Sequence, residues 1–160
     1  YGLDYLHAQL PGLADIPVVK CSNFIGDALD MAAAAHFEEV LLVGHVGKLC
    51  KLAGGVMNTH SHTADCRTEL FCTYAAVSGA GPEICRQLLR AATTDACIEI
   101  LDAARLREPV MAGMLEAIQR HLDRRAAGAF RVGVLLFSNQ HGPLGQTATA
   151  KEFLQTWNTP

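Results

Sequence analysis

A glycine corner between residues 40 and 51 carries the residue types most able to do chemistry. The apolar run 40–43 ends at Gly44, and Gly47 and Lys48 follow within one turn. Glycine lets backbone come close to a bound group, and a helix that starts there offers free N–H groups and about half a positive charge to an anion. Lys48 and Lys51 add full charges. The corner therefore predicts an anion site, with an ordinary tight turn as the open alternative.

The spacing of this corner differs from two common phosphate-binding motifs. A Walker A loop has the form G-x-x-x-x-G-K-[ST], whereas only two residues separate Gly44 from Gly47 and Leu49 follows Lys48. The chain also lacks the G-x-G-x-x-G dinucleotide fingerprint. A phosphate-transfer enzyme is therefore disfavoured.

The polar stretch that follows the corner gathers metal-ligand and acid–base side chains. His60 and His62 with Asp65 or Cys66 could hold zinc and leave one position for water, although their spacing matches no strong zinc signature. Cys66 could instead act as a thiolate nucleophile, and Thr63 or Asp65 could cap the helix that follows. These alternatives stay open on the residues alone.

Composition disfavours several classes of protein. The 160 residues hold 13 Lys+Arg against 16 Asp+Glu and no long basic run, which disfavours nucleic-acid binding. No apolar run approaches the roughly 20 residues of a membrane helix. The six cysteines form no C-x-x-C pair, which favours free thiols in a reducing compartment. We expect a soluble cytoplasmic protein.

Hydrophobic periodicity predicts one α/β domain over residues 1–160. The expected strands are 17–20, 39–44 and 130–137, and the expected helices are 1–10, 24–36, 47–57, 67–78, 82–91, 94–104, 108–125 and 149–157. Ser22 or Asn23 and Thr94 are expected helix caps, and Pro82 and Pro109 suit first turns.

This order of elements predicts an open parallel sheet, Rossmann-like, with a helical block over 67–127 inserted between two strands. The strand 39–44 has the continuous apolar character of a strand buried on both faces. Residues 138–145 are expected to form a loop in which His141 is a weaker candidate for ligand contact. Three strands make a thin sheet, so a strand is missed or another segment supplies one.

Several ordered strings in this chain resemble the cobalt-precorrin-5B C1-methyltransferases of anaerobic cobalamin synthesis. The strings are residues 22–29, 40–45, 47–49, 51–55, 58–61, 64–65 and 67–69. The resemblance runs from about residue 1 to residue 138, and family members are about twice as long. It implies that this chain is the carboxy-terminal half of a two-domain enzyme, whose amino-terminal half would be its partner.

The resemblance implies transfer of a methyl group from S-adenosylmethionine, as cosubstrate, to ring carbon C1 of a cobalt-precorrin tetrapyrrole. Cobalt would arrive within that substrate, so no protein-bound metal is expected. Carboxylates on the macrocycle rim call for Lys, Arg and helix N-termini. The residues expected to bind substrate or cosubstrate are Gly44, His45, Gly47, Lys48, Lys51, Asn58, Thr59, His60, Ser61, Asp65 and Arg67.

No catalytic residue is assigned, and the isolated chain is expected to be inactive. A second copy of the chain, forming a homodimer, is a further candidate partner. Position 62 departs from the family, which usually has Arg where this chain has His62. Histidine is mostly uncharged at neutral pH and makes a weaker anion clamp. Two alternatives remain, a non-catalytic scaffold or dimerisation half and a zinc hydrolase.

Overall fold

The computed structural model describes residues 2–13 and 16–157. The first residue of the expected helix 1–10 lies outside these ranges. The α-helices are α1 (Gly2–Gln9), α2 (Ile25–Ala34), α3 (Val46–Leu49), α4 (Arg67–Val77), α5 (Pro82–Arg90), α6 (Thr94–Ala103), α7 (Arg107–Ala126) and α8 (Ala148–Trp157). The strands are β1 (Glu39–His45), β2 (Arg131–Ser138) and β3 (Gly142–Gln146). Short 3₁₀ helices cover Pro11–Leu13 and Cys50–Gly54. The α/β class is confirmed.

The three strands form one mixed sheet in the order β1-β2-β3. β1 and β2 run parallel, whereas β2 and β3 run antiparallel with an irregularity after Leu136. The expected all-parallel, Rossmann-like sheet is therefore not confirmed, because β3 lies where a loop was predicted. Gly142 and Gly145 have positive φ and Pro143 lies between them, so this edge strand has the composition of a turn.

The predicted strand at 17–20 was wrong. These residues have no regular secondary structure, and Val18 and Val19 are 48% and 79% exposed. A strand gains its stability from neighbouring strands and from packing on one face, and this segment has neither.

β2 is the central strand and is packed on both faces. Val132, Val134 and Leu136 join the main core with α7. On the other face, a Cβ on Gly133 would lie only 2.6 Å from the backbone nitrogen of Ala150, so α8 approaches closely. This two-sided burial explains the continuous apolar run of β2.

β1 is an edge strand, contrary to the prediction that it is buried on both faces. Only Leu42 is fully buried, and the other residues are half-buried. Its outer edge pairs with no strand among the residues that the structure describes. Apolar side chains of residues 40, 41 and 43 therefore remain partly exposed on β1.

Helices α4 to α7 occupy the connection between β1 and β2, where a helical block was expected. Each contributes a fully buried side chain to one shared core, namely Phe71, Leu88, Ile98 and Met114. Pro82 lies in the first turn of α5 as predicted. No helix in the described part of the chain is both long and apolar enough to cross a membrane.

The predicted caps were wrong by one or two residues. Phe24, not Ser22 or Asn23, precedes α2, and no side chain caps that helix. Thr93, not Thr94, caps α6 through a hydroxyl that accepts the N–H of Ala96 at 3.1 Å. The predicted helix 47–57 is divided into α3 and the 3₁₀ turn that ends at Gly54.

Candidate functional site

The carboxyl ends of β1 and β2 lie side by side and collect the starts of two helices. β1 ends at His45, opposite Phe137 of β2, and α3 begins at the next residue. At the end of β2, the hydroxyl of Ser138 donates to Asp95 in the first turn of α6 at 2.5 Å. Ligands of open α/β sheets bind beyond this edge, so a binding site is expected there.

The glycine corner is partly filled by its own chain. A Cβ on Gly44 would lie 2.7 Å from Cδ1 of Leu49, so the space beside Gly44 is occupied. His45 caps α3, because its Nδ1 accepts the N–H of Gly47 at 3.0 Å. A Cβ on Gly47 would lie 3.3 Å from the hydroxyl oxygen of Thr94, which brings α6 against the corner.

The two lysines of the corner have different surroundings. Lys48 is exposed, whereas Lys51 is only 2% exposed. The ammonium group of Lys51 donates to the carbonyl oxygens of Thr59 at 3.1 Å and Ala64 at 2.8 Å. Lys51 therefore holds the two ends of the polar loop 59–64, and Lys48 is the lysine open to solvent.

The loop after the corner is anchored at its start and open at its tip. Thr59 is buried, and its N–H donates to the carbonyl oxygen of Asn23 at 2.9 Å. The side chain of Asn58 accepts the N–H of His60 at 3.1 Å. His60 and Ser61 are exposed. The anchored backbone thus presents these two side chains to solvent.

The zinc arrangement does not form. The rings of His60 and His62 lie 5.1 Å apart, but Asp65 is engaged by Arg67. Across residues 2–13 and 16–157, no group of three or more His, Cys, Asp or Glu side chains could hold a metal ion. The prediction that Thr63 or Asp65 caps α4 was also wrong, because Cys66 precedes that helix and no side chain caps it.

Asp65 and Arg67 form a two-pronged ion pair at the start of α4. Nε and Nη2 of Arg67 donate to the two carboxylate oxygens of Asp65 at 2.7 and 2.8 Å. These hydrogen bonds hold the pKa of Asp65 below its usual value and raise the pKa of Arg67. Both groups are therefore charged across the physiological pH range.

A cleft of about 160 Å³ opens beside this ion pair. It is lined by Asp65, Arg67 and Thr68 at the start of α4 and by residues 91–94 where α5 gives way to α6. Thr68, Thr93 and Thr94 are lining residues that sequence reasoning did not assign to the site. The Thr93–Thr94 pair predicts a helix start, but nothing local places that start against α4.

A second hollow, of about 270 Å³, lies at the end of β2. It is lined by α1, the end of β2 and the turn into β3. Tyr5 of α1 stacks on Phe137 in its wall, with ring centroids 4.1 Å apart. His141 lies in the turn, with Nδ1 3.4 Å from Nη2 of Arg107.

These features define an α/β domain with a small polar cleft at the carboxyl edge of its parallel strand pair. The family described as CbiD, C-terminal domain, matches residues 58–148. The chain belongs to this family, and the resemblance seen in the sequence is confirmed.

Relatives carry the name cobalt-precorrin-5B C(1)-methyltransferase. The protein of Ruminiclostridium cellulolyticum is 45% identical over 121 residues, 76% of this chain and 32% of the relative. That of Moorella thermoacetica is 35% identical over 91% of this chain and 40% of the relative. That of Methanocaldococcus jannaschii is 36% identical over 75% and 33%. The chain thus spans only a third to two fifths of these relatives, and no solved structure matches it.

Proposed function

We propose that this chain is the carboxy-terminal part of an enzyme that methylates ring carbon C1 of a cobalt-precorrin in cobalamin biosynthesis. The observation that carries the proposal is the 45% identity to a cobalt-precorrin-5B C(1)-methyltransferase over 76% of the chain. S-adenosylmethionine is the proposed methyl donor. The remainder of the enzyme would complete the active site.

In this reaction the bond from the methyl carbon to the donor sulfur breaks while a bond to C1 forms. The electron pair of the broken bond stays on sulfur, and C1 supplies the pair for the new bond. Such an in-line displacement depends mainly on holding the two reactants in position. The role proposed for this chain is therefore binding and orientation of the macrocycle.

The cationic groups near the strand ends support that role. Lys48 is exposed on α3, and Arg67 lines the cleft at the start of α4. Cations and free N–H groups are suited to the acetate and propionate carboxylates of a macrocycle rim. We assign rim binding to Lys48, the exposed loop residues His60 and Ser61, and Arg67, whereas the N–H of Gly47 is taken by His45.

The remaining predicted site residues have supporting positions in this proposal. Gly44 allows Leu49 to pack, and His45 caps α3. Lys51, Asn58 and Thr59 hold the loop, and Asp65 orients Arg67. Cobalt belongs to the substrate, so the proposal assigns no resident metal to this chain.

The proposal is tested in a chimera in which this chain replaces the matching region of the Ruminiclostridium cellulolyticum relative. We expect the chimera to transfer a labelled methyl group from S-adenosylmethionine to the cobalt-precorrin. Lys48→Ala and Arg67→Ala should each weaken tetrapyrrole binding about tenfold, the effect of one lost charge-assisted contact. Arg86→Ala is the control, because Arg86 pairs with Glu83 on the exposed face of α5 and lines neither the cleft nor the loop 59–64. A chimera that folds and binds neither substrate would contradict the proposal.

A non-catalytic scaffold or dimerisation role is the second candidate. The small cleft, about 160 Å³, favours it, because a macrocycle cannot enter such a space. Calorimetric titration of S-adenosylmethionine into this chain and into the chimera separates the two. Binding to the chimera alone, with a dimer of this chain in solution, would favour the scaffold role.

The proposed location is the cytoplasm. All six cysteines are free thiols. Two of them, Cys50 and Cys97, are fully buried in the core as small apolar side chains. Free thiols in this number are typical of a reducing compartment.

A further inference from the structure

Two helix N-termini converge on the cleft between α4 and α6. No side chain caps α4, so the first N–H groups of that helix remain available. At α6, the hydroxyl of Thr93 accepts the N–H of Ala96. The N–H groups of Thr94 and Asp95, in the first turn, remain available to a ligand. Both helices exceed two turns, and their partial positive charges add at the cleft.

Thr94 supplies a second, independent observation that points to ligand binding at the cleft. The residue is 5% exposed and lines the cleft. Its hydroxyl forms no hydrogen bond with any residue that the structure describes, and it is not sealed from solvent. A hydroxyl in such a position costs free energy unless water or a ligand satisfies it. Thr94 lines the cleft, so its unused hydroxyl, which lies beside Gly47, is a donor available to a ligand there.

Arg67 adds a full charge in a geometry that suits a carboxylate. Asp65 occupies two of the five guanidinium N–H groups, which leaves three for another partner. Asp65 itself lines the cleft and would repel an anion. Arg67 and Lys51, whose Nζ lies 4.0 Å from Asp65, outweigh that charge and leave one positive charge in the cluster.

We propose that this cleft is a carboxylate subsite formed by Arg67, the hydroxyl of Thr94 and the N-termini of α4 and α6. Its volume of about 160 Å³ suits a single acetate or propionate group. The identity of the molecule that bears this group rests on the proposed function, in which one side arm of the macrocycle enters the cleft while the ring stays outside.

The first test titrates sodium propionate into the ¹⁵N-labelled chain at constant ionic strength and follows the backbone amide signals of Thr68 and Thr94. We expect both signals to move. Thr94→Val should weaken propionate binding about tenfold, because it removes a hydrogen bond to a charged group. Thr94→Ser keeps the hydroxyl and should bind like the original chain, as should Arg86→Gln. Circular dichroism checks that each variant is folded.

Three results would overturn the subsite. The amide signals of Thr68 and Thr94 stay in place, or Thr94→Val binds propionate as tightly as the original chain. Alternatively, inorganic phosphate binds at least ten times more tightly than propionate, which would exclude a carboxylate as the preferred ligand.

A second titration, with the fluorescent carboxylate-rich tetrapyrrole uroporphyrin, separates this proposal from the proposed function. Weaker uroporphyrin binding by Thr94→Val supports both. If propionate binds to the chain but uroporphyrin binds neither to the chain nor to the chimera, the subsite stands and the proposed function is contradicted. If uroporphyrin binds equally to Thr94→Val and the original chain, the subsite is wrong and the proposed function is unaffected.

Discussion

Lys51 is a buried cation whose partners are two backbone carbonyl oxygens. Lys51→Met should lower the free energy of unfolding by about 2–4 kcal/mol, because the carbonyls of Thr59 and Ala64 lose charge-assisted hydrogen bonds. Urea unfolding measures the change. Lys151→Met, at an exposed position on α8, is the control and should have little effect. Equal stability of the two variants would show that Lys51 does not hold the loop.

The buried thiols Cys50 and Cys97 should resist alkylation. Burial raises the pKa of Cys50 to about 12 and that of Cys97 to about 11, so both are protonated at pH 8. The thiolate is the reactive form. After iodoacetamide treatment, peptide mass spectrometry should find both unmodified in the folded chain and modified in urea. Labelling of Cys50 as fast as the half-buried Cys21 would contradict this expectation.

At the scale of the element, the corner between β1 and α3 depends on the absence of a side chain at position 44. Gly44→Ala should destabilise the chain by about 1–3 kcal/mol, since the new methyl group would lie 2.7 Å from Cδ1 of Leu49. Gly81→Ala is the control, because nothing lies within 4 Å of its added Cβ. Thermal unfolding measures both.

A double variant distinguishes this clash from a backbone effect. Leu49→Ala removes the atoms that the new methyl group would meet. The double variant Gly44→Ala/Leu49→Ala should therefore lose less unfolding free energy than the sum of the losses in the two single variants. Strict additivity would mean that Leu49 is not the reason for glycine at position 44.

The helical block illustrates which elements can be predicted locally. Its four helices begin and end within one residue of the predicted bounds, because Pro82, the Thr93–Thr94 pair and the apolar stripes are signals within each segment. β3 was not predicted, and the predicted strand 17–20 was wrong, because strands depend on contacts with segments that are distant in sequence. A strand exists only where another strand lies beside it, and sequence neighbours do not show that.

At the scale of the whole molecule, the sheet is thin and open on one side. β1 is half-buried, and its outer edge carries no strand in the described ranges. The curated relatives are more than twice as long as this chain. The half-buried edge of β1 and the small volume of the cleft are compatible with the proposal that another part of a longer protein completes the site.

The family, the α/β class and most helix bounds were determined by the sequence alone, because they depend on motifs and on periodicity within short segments. The sequence also placed Arg67 and the glycine corner among the candidate binding residues. Only the tertiary structure decided that Lys51 is buried and holds a loop, and that Thr94 joins Arg67 at one cleft. Those outcomes follow from the packing of α3, α4 and α6 around a shared core. That packing depends on contacts between segments that are distant in sequence, and a local sequence pattern does not specify such contacts.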